Sequence, residues 1–342
     1  MKKALIYIFP GVAIICLILL VITYRLLFGI SVYPDDKGST LLIPSESSYS
    51  QLLDTVEANL KFEKPELFDW FAQKKKLPVS IKPGKYVIKE SLSINELINV
   101  LRSGRKTPTR ITFNNIRTLN QLAGKFGKQI EADSIQIVNF FANESNFTDD
   151  GFTRENIISI FIPDTYEFYW DTDAKELYQR MLREYKLFWN EERLGKADEK
   201  GLTPVEVAIL ASIIDDEVAK KDEKPRIAGV YLNRIKRGIP LQACPTIKFA
   251  LNDFTITRVL KVHLETESPY NTYKHNGFPP GPIGCPSIEG IDAVLNAEKH
   301  DYIFFAAKAD FSGYHNFSRT LSEHNRYAAQ YQRELNRRKI YK

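Results

Sequence analysis

Histidine and cysteine are scarce in this 342-residue chain, at five and three, and no HExxH or comparable ligand spacing occurs. That scarcity predicts no metal and no metal-held cofactor. A dominant charge sign is missing as well. Lys plus Arg number 47 against 42 Asp plus Glu, a net +5 with the two signs intermixed, so nucleic acid is excluded as an electrostatic partner. The run Lys74, Lys75, Lys76 reads as a solvated face. Internal repeats and low-complexity tracts are absent, which excludes solenoid and fibrous architectures. What is plentiful is apolar surface: 44% hydrophobic residues, including 21 Phe and 17 Tyr. Wholesale disorder is thereby excluded, and the length allows two domains plus a connecting segment.

Charge is missing most conspicuously from Ala4 to Tyr24, "ALIYIFPGVAIICLILLVITY". As a helix rising about 1.5 Å per residue, this run reaches roughly 30 Å, one bilayer core. Arg25 and a second apolar group follow it instead of the small residues of a cleavage site. Residues 1–30 therefore read as a cytoplasmic stub and a single uncleaved anchor. Lys2 and Lys3 precede it and predict a cytoplasmic N-terminus, with the remainder on the extracytoplasmic side of the inner membrane. Cys16 lies inside the anchor as apolar filler. Cys244 and Cys285 fall in the exported part, each before a proline, and suggest a disulfide there; two separate buried thiols are the alternative.

The fold class expected is α+β. Residues 31–38 form a polar linker, and a small α+β unit follows over 39–104. Its strands are "TLLIP" and "KPGKYVI", and its helices start near Tyr49, Pro65 and Ile94. Ser93 is the expected N-cap of the last helix and Gly104 its stop. Residues 105–150 read as a connecting segment without a chemical motif. From 151 to 342 a larger mixed α+β domain is expected, with helices over Ala174–Glu192, Pro204–Lys220 and Asp222–Arg237, then Pro/Gly-rich loops, a strand "YIFFAA" and a basic last helix from about Ser322 ending in "RRKIYK".

Helix Pro204–Lys220 ends in "SIIDDEV". Val207, Leu210, Ala211, Ile214 and Val218 make one apolar stripe, and Ile209 and Ile213 cover a second side. Asp215, Asp216 and Glu217 stand about 100° apart around such a helix, so they cannot all face water. Their mutual repulsion, the negative end of the helix dipole and desolvation all raise the pKa of the least exposed one. That is the property of a general acid at neutral pH. The structural alternative pairs these acids at i, i+4: Asp216 with Lys220, and Glu217 with Lys221.

The motifs "ASIIDDE", "VYLNRIKRGIPLQACPT", "SPYNTY", "GFPPGPIG", "HNFS" and "EHN" occur in this order, and together they resemble the YceG-like endolytic murein transglycosylases. The resemblance is strongest over 161–325 and extends to the small unit, which it implies to be a LysM-like module. It implies a membrane-anchored enzyme that cuts peptidoglycan glycan strands between MurNAc and GlcNAc, leaves a 1,6-anhydroMurNAc end, needs no cofactor, and works beside cell-wall synthases. The family's catalytic Glu falls on Glu217 and its preceding acid on Asp215. Val218 departs from the usual hydroxyl residue, Cys244 from the usual Asp, and Cys285 from Asn or another small residue. Two departures to Cys in one domain favour the disulfide, which would contribute ~4 kcal/mol by chain-entropy arithmetic. Gln242, Asn233 and Asn271 offer amides for sugar hydroxyls and N-acetyl groups, and Tyr270 and Tyr273 offer rings for a pyranose face. Asp164 in "PDTY" is expected to hold a turn, His315 to orient a partner, and "GFPPGPIG" to stiffen a cleft wall. A non-catalytic peptidoglycan-binding scaffold and a hydrolysing muramidase are the alternative readings.

Overall fold

The structure, a computed structural model, describes residues 2–338, with side chains from Pro10 onward. The end of "RRKIYK" beyond Arg338 and the side chains of Lys2 and Lys3 lie outside the described residues. Helix α1 spans Lys2–Phe28, and its stretch Pro10–Phe28 has a mean hydropathy of 2.5 with only 6% buried inside the protein. Nineteen residues cover about 28 Å as a helix, enough to cross a bilayer.

The elements that follow are mixed α and β, as expected. They are β1 (Val32–Tyr33), β2 (Ser39–Ile43), α2 (Tyr49–Asn59), β3 (Lys61–Phe62), α3 (Pro65–Lys74), β4 (Gly84–Ile88), α4 (Ile94–Ser103), β5 (Thr109–Thr112), α5 (Leu119–Phe126), α6 (Ser134–Ala142) and β6 (Thr165–Phe168). After these come α7 (Ala174–Phe188), α8 (Glu191–Asp198), α9 (Pro204–Glu217), α10 (Lys224–Lys236), α11 (Cys244–Ala250), α12 (Lys261–Leu264), α13 (Ile288–Leu295), β7 (Phe304–Ala307), β8 (His315–Ser318) and α14 (Leu321–Arg337). Strands pair two by two: β1 with β3, β2 with β4, β5 with β6, and β7 with β8.

The chain forms two compact units. One contains residues 1–111, 127–132 and 166–173; the other contains 112–126, 133–165 and 174–342. In the first, β2 and β4 run antiparallel with Leu41 opposite Tyr86, and α2 packs against β2. Leu41, Leu52, Val56, Phe68, Tyr86, Leu97, Ile98 and Leu101 form its core. Ser48 and Ser93 each build a capping box with the residue three further on, and Gly104 ends α4 at φ 68°, a conformation glycine adopts without cost. Lys75 is not purely solvated: its ammonium bonds Asn95 and Asn99 of α4.

In the second unit α9 is the central helix. Thr203 caps it in a box with Glu206, Pro204 occupies its first turn, and Val207 to Ile214 are buried without interruption. Helices α8, α10, α11 and α13 pack around it, while the β7–β8 hairpin, with Phe305 opposite Phe317, lies against α10 and α14. The helix stops three residues short of the expected Lys220, because Val218 is extended at φ −139°. The expected 174–192 helix is likewise two helices, α7 and α8, divided by Asn190, whose side chain caps α8.

Candidate active site

The end of α9 sends its three acids in three directions. Asp215 turns to α13 and α10: it accepts from Lys224 Nζ at 2.7 Å, from the Ser287 amide at 2.7 Å and from Ser287 Oγ at 2.8 Å. Gly290 makes this approach possible, since a Cβ there would lie 2.6 Å from Asp215 Oδ1. Asp216 forms a two-point ion pair with Arg117, whose guanidinium also lies over the Phe254 ring at 4.7 Å. With Lys224, Ser287 and Asn114 these two acids line a polar cavity that Glu217 does not line. The pairings of Asp216 with Lys220 and Glu217 with Lys221 do not form: Lys220 lies over Tyr314, and Lys221 pairs with Glu289.

Glu217, the last residue of α9, faces the opposite way. Its Oε1 accepts from the Tyr231 hydroxyl at 3.0 Å, and the Cys244 amide donates to the same carboxyl. Part of the side chain remains open to solvent, yet protein surrounds the carboxyl closely enough for burial to dominate. Desolvation pushes its pKa up to about 7, against the lowering effects of Tyr231, the Cys244 amide and Lys248. Tyr231 is itself 1% exposed, its phenol held far above the usual range by burial and by the facing carboxyl. Near neutral pH, then, the carboxyl at 217 holds a proton that it can release.

Two loops complete the surroundings. Residues 241–244 and 270–273 are sewn together: the Gln242 amide donates to the Thr272 carbonyl at 3.0 Å, the Ala243 amide to Thr272 Oγ1 at 3.0 Å, and Thr246 Oγ1 lies 2.8 Å from Thr272 Oγ1. This brings "LQACPT" and "SPYNTY" side by side at the carboxyl. Gln242 is exposed and holds a left-handed φ of 54°. Tyr273 sits 3.3 Å from Cys244 Sγ, and burial raises its phenol further than the nearby thiol and carboxyl do. The Tyr270 ring packs on Phe249 at 4.6 Å, and burial pushes its phenol up to about 12.

Several expected residues hold the scaffold instead. Asn271 is fully buried; its amide nitrogen donates to the Leu264 and Thr266 carbonyls at 2.9 and 2.8 Å, and its oxygen accepts from the Tyr273 amide. As the side chain lies in this structure, it serves the loop and presents no surface to a substrate. Half-buried Asn233 donates through its amide nitrogen to the His300 and Tyr302 carbonyls at 2.7 and 2.9 Å. The disulfide is absent. Cys285 is a buried thiol turned toward the Ile158 carbonyl, whereas the Cys244 thiol is turned to Tyr273, so each is accommodated in surroundings of its own. Burial raises both thiols. Asp164 is a turn residue, its carboxylate accepting from the Thr165 amide and its carbonyl from the Phe113 amide. His315 Nδ1 lies 2.9 Å from Oε2 of buried Glu223, which also accepts from the His315 amide. In "GFPPGPIG" the Ile283 amide donates to Ser212 Oγ at 3.0 Å, fixing that segment on α9.

Sequence reasoning missed Tyr231, Arg117 and Lys224 as neighbours of the acids. Tyr231 and Arg234 stand three apart on α10, so they share a face, and that spacing was the available signal. Arg234 is 5% exposed and has no carboxylate partner among the described residues; it donates to the Pro240 carbonyl, the Ile303 carbonyl and Gln242 Oε1. Among the described residues no three His, Cys, Asp or Glu side chains gather as metal ligands.

A single protonatable carboxyl at the end of a buried helix, framed by a phenol and a backbone amide on an α+β scaffold, defines an acid–base site. The YceG-like family pattern matches residues 41–330, and the chain belongs to that family. It is 28% identical over 333 residues to the endolytic murein transglycosylase of Bacillus subtilis (strain 168), covering 91% of each chain. It is 26% identical over 339 residues to the endolytic murein transglycosylase of Streptococcus pneumoniae (strain ATCC BAA-255 / R6), covering 88% of this chain and 60% of that one. The chain thus spans about three fifths of the pneumococcal protein. Its fold is similar to that of a crystal structure of a YceG-like protein from Listeria monocytogenes, with a TM-score of 0.55, 25% identity, and 85% and 98% of the two chains covered.

Proposed function

We propose that this chain is a membrane-anchored endolytic murein transglycosylase whose acid and base are both Glu217. The observation that carries the reading is the division of labour at the end of α9: one carboxyl raised to about 7, and two neighbours tied to Lys224 and Arg117. Hydrolysis of a glycosidic bond ordinarily calls on a second carboxylate, either as nucleophile or to activate water. Asp215 and Asp216 are committed elsewhere. A single carboxyl suffices when the attacking group already belongs to the substrate.

In that reaction Glu217 gives its proton to the oxygen linking MurNAc to the next GlcNAc. The bond from that oxygen to the anomeric carbon breaks, and its electron pair stays on the oxygen. The MurNAc C6 hydroxyl attacks the anomeric carbon and returns its proton to Glu217, closing the 1,6-anhydro ring without water. Tethering makes the attack intramolecular. The Tyr231 hydroxyl on Oε1 leaves Oε2 to carry the proton, and with the Cys244 amide it stabilises the carboxylate that exists between the two transfers. Tyr273 lies near the same carboxyl, and with Tyr270 and Gln242 of the two joined loops it is suited to hold the strand.

The apolar span Pro10–Phe28, with Arg25 near its end, supports an anchor, and Lys2 and Lys3 support a cytoplasmic N-terminus, with the enzyme facing the wall and acting on nascent strands beside the synthases. Two helices, α2 and α3, between the paired strands β2 and β4, with the short β3 between those helices, support the LysM-like reading of residues 39–104. The test is the mass of the fragments released from purified sacculi. Transglycosylation leaves each new MurNAc end one water lighter than hydrolysis does. Hydrated ends would sink the reading in favour of a muramidase, and no new ends at all would favour a binding scaffold.

A pH dependence follows. Glu217 must be protonated to begin, so kcat/KM holds below about pH 7 and falls tenfold per unit above it. The phenol of Tyr231 lowers that pKa by bonding the charged form, so Tyr231→Phe should move the falling limb to higher pH while cutting kcat about tenfold. A limb that stays in place in Tyr231→Phe would show that the phenol does not act on the working carboxyl.

A further inference from the structure

Arg234 and Gln242 repeat, one turn along, the arrangement of Tyr231 and Glu217: a donor on α10 holds an oxygen on the facing element. Arg234 Nη2 lies 2.6 Å from the Gln242 side-chain oxygen. Arginine has only donors, so the amide atom that meets it is the oxygen and the NH2 group points elsewhere. Two further bonds, to the Pro240 and Ile303 carbonyls, fix the guanidinium itself. The Gln242 backbone is held in the left-handed region between buried Leu241 and Ala243, a conformation a non-glycine residue keeps only when its surroundings enforce it. The side chain is nonetheless exposed, two residues before the Cys244 amide that bonds Glu217. An amide so held keeps its oxygen on the guanidinium and leaves its NH2 group, a donor, free.

Resting on the reading of this site as a glycan cleft, we infer that Gln242 is a specificity-determining donor for the acetamido carbonyl of the sugar held beside Glu217, and that Arg234 is the positioning residue that sets its polarity. Sugar hydroxyls both donate and accept, so a donor-only group does not discriminate among them. The acetamido carbonyl accepts only, and it is a stronger acceptor than the hydroxyls and ether oxygens of the sugar ring that carries it. A strand whose amines are free presents an ammonium donor at that point instead, leaving two donors face to face.

The test uses the full-length chain in detergent carrying Glu217→Gln, so that strands bind without being cut. Glycan strands from one sacculus preparation are compared native and chemically N-deacetylated. Native strands should bind about tenfold more tightly, the difference one hydrogen bond can make. Adding Gln242→Glu keeps acceptors for Arg234 but puts oxygen where the donor was, and should erase or invert that preference. Adding Gln242→Ala should reduce it to within about twofold. Equal binding of the two strands before either addition, or a preference undiminished in both Gln242 variants, overturns the inference. Release of anhydro ends from native sacculi by the protein with Glu217 intact is scored separately, so failure of the enzymatic reading shows there and not in the binding ratio.

Discussion

Glu217→Gln is expected to lower the release of anhydro-muropeptides by 10³-fold or more, because general acid and general base are lost together. The glutamine keeps an acceptor for the Tyr231 hydroxyl, so the site should remain assembled. The same variant should be more stable than its parent at pH 8. The folded pKa of Glu217 lies above its unfolded value. Its contribution to stability is therefore fully present below the unfolded pKa and is lost as pH rises through about 7, when the charge must form in a desolvated place. Glutamine never carries that charge. A melting comparison at pH 8 and pH 4 checks this: the variant should gain at pH 8 and gain little or nothing at pH 4. Loss of activity together with loss of stability at both pH values would mean a damaged fold rather than a missing proton.

Asp215→Ala has the largest expected effect on stability. It removes three acceptor contacts at once and leaves Lys224, whose side chain is 10% exposed, without its counter-ion. Breaking one side of such a pair costs about 3 kcal/mol, most of it the penalty of a stranded charge. In a unit of this size the melting temperature should fall by roughly 5–10 °C. Restoring balance by removing the charge as well, in Asp215→Ala with Lys224→Met, should recover part of the loss, which a two-variant thermodynamic cycle measures. No recovery would mean that Asp215 matters chiefly through the Ser287 amide at the start of α13. Either way its part is to hold α13 and α10 against the end of α9, and so to keep the neighbouring acid facing the other direction.

That division was half legible in the sequence. The stripe from Val207 to Ile214 and the three acids behind it announced a buried helix with one desolvated carboxyl; in the structure, burial raises the pKa of Glu217. The partners that isolate it were not legible. Arg117 stands 99 positions before Asp216 in a stretch whose local pattern carries no chemistry, and only the tertiary fold brings them together. The helix end was misjudged because the stripe extends through Val218, whereas the chain turns extended there and frees Lys220 and Lys221 for Tyr314 and Glu289. For Asn233 and Asn271 the amide's chemistry is visible in a sequence and its partners are not. Their partners are backbone carbonyls, in the case of Asn233 on residues 67 and 69 positions away. The two thiols failed for a related reason: shared chemistry implied a bond, but Cys285 is buried near the Ile158 carbonyl while Cys244 is turned to the Tyr273 hydroxyl. The folds of the capped helices needed no such information, since Ser48, Ser93 and Thr203 act on residues three positions away.

The most direct measurement is a carboxyl titration of the folded chain labelled with 13C-glutamate, compared with the same sample carrying Glu217→Gln. One carboxyl resonance should titrate near pH 7, well apart from the other glutamates, and should be missing from the variant. If the resonance assigned by that difference titrates between 4 and 5 instead, position 217 is ionised at neutral pH, and the acid on which the whole mechanism relies is not there.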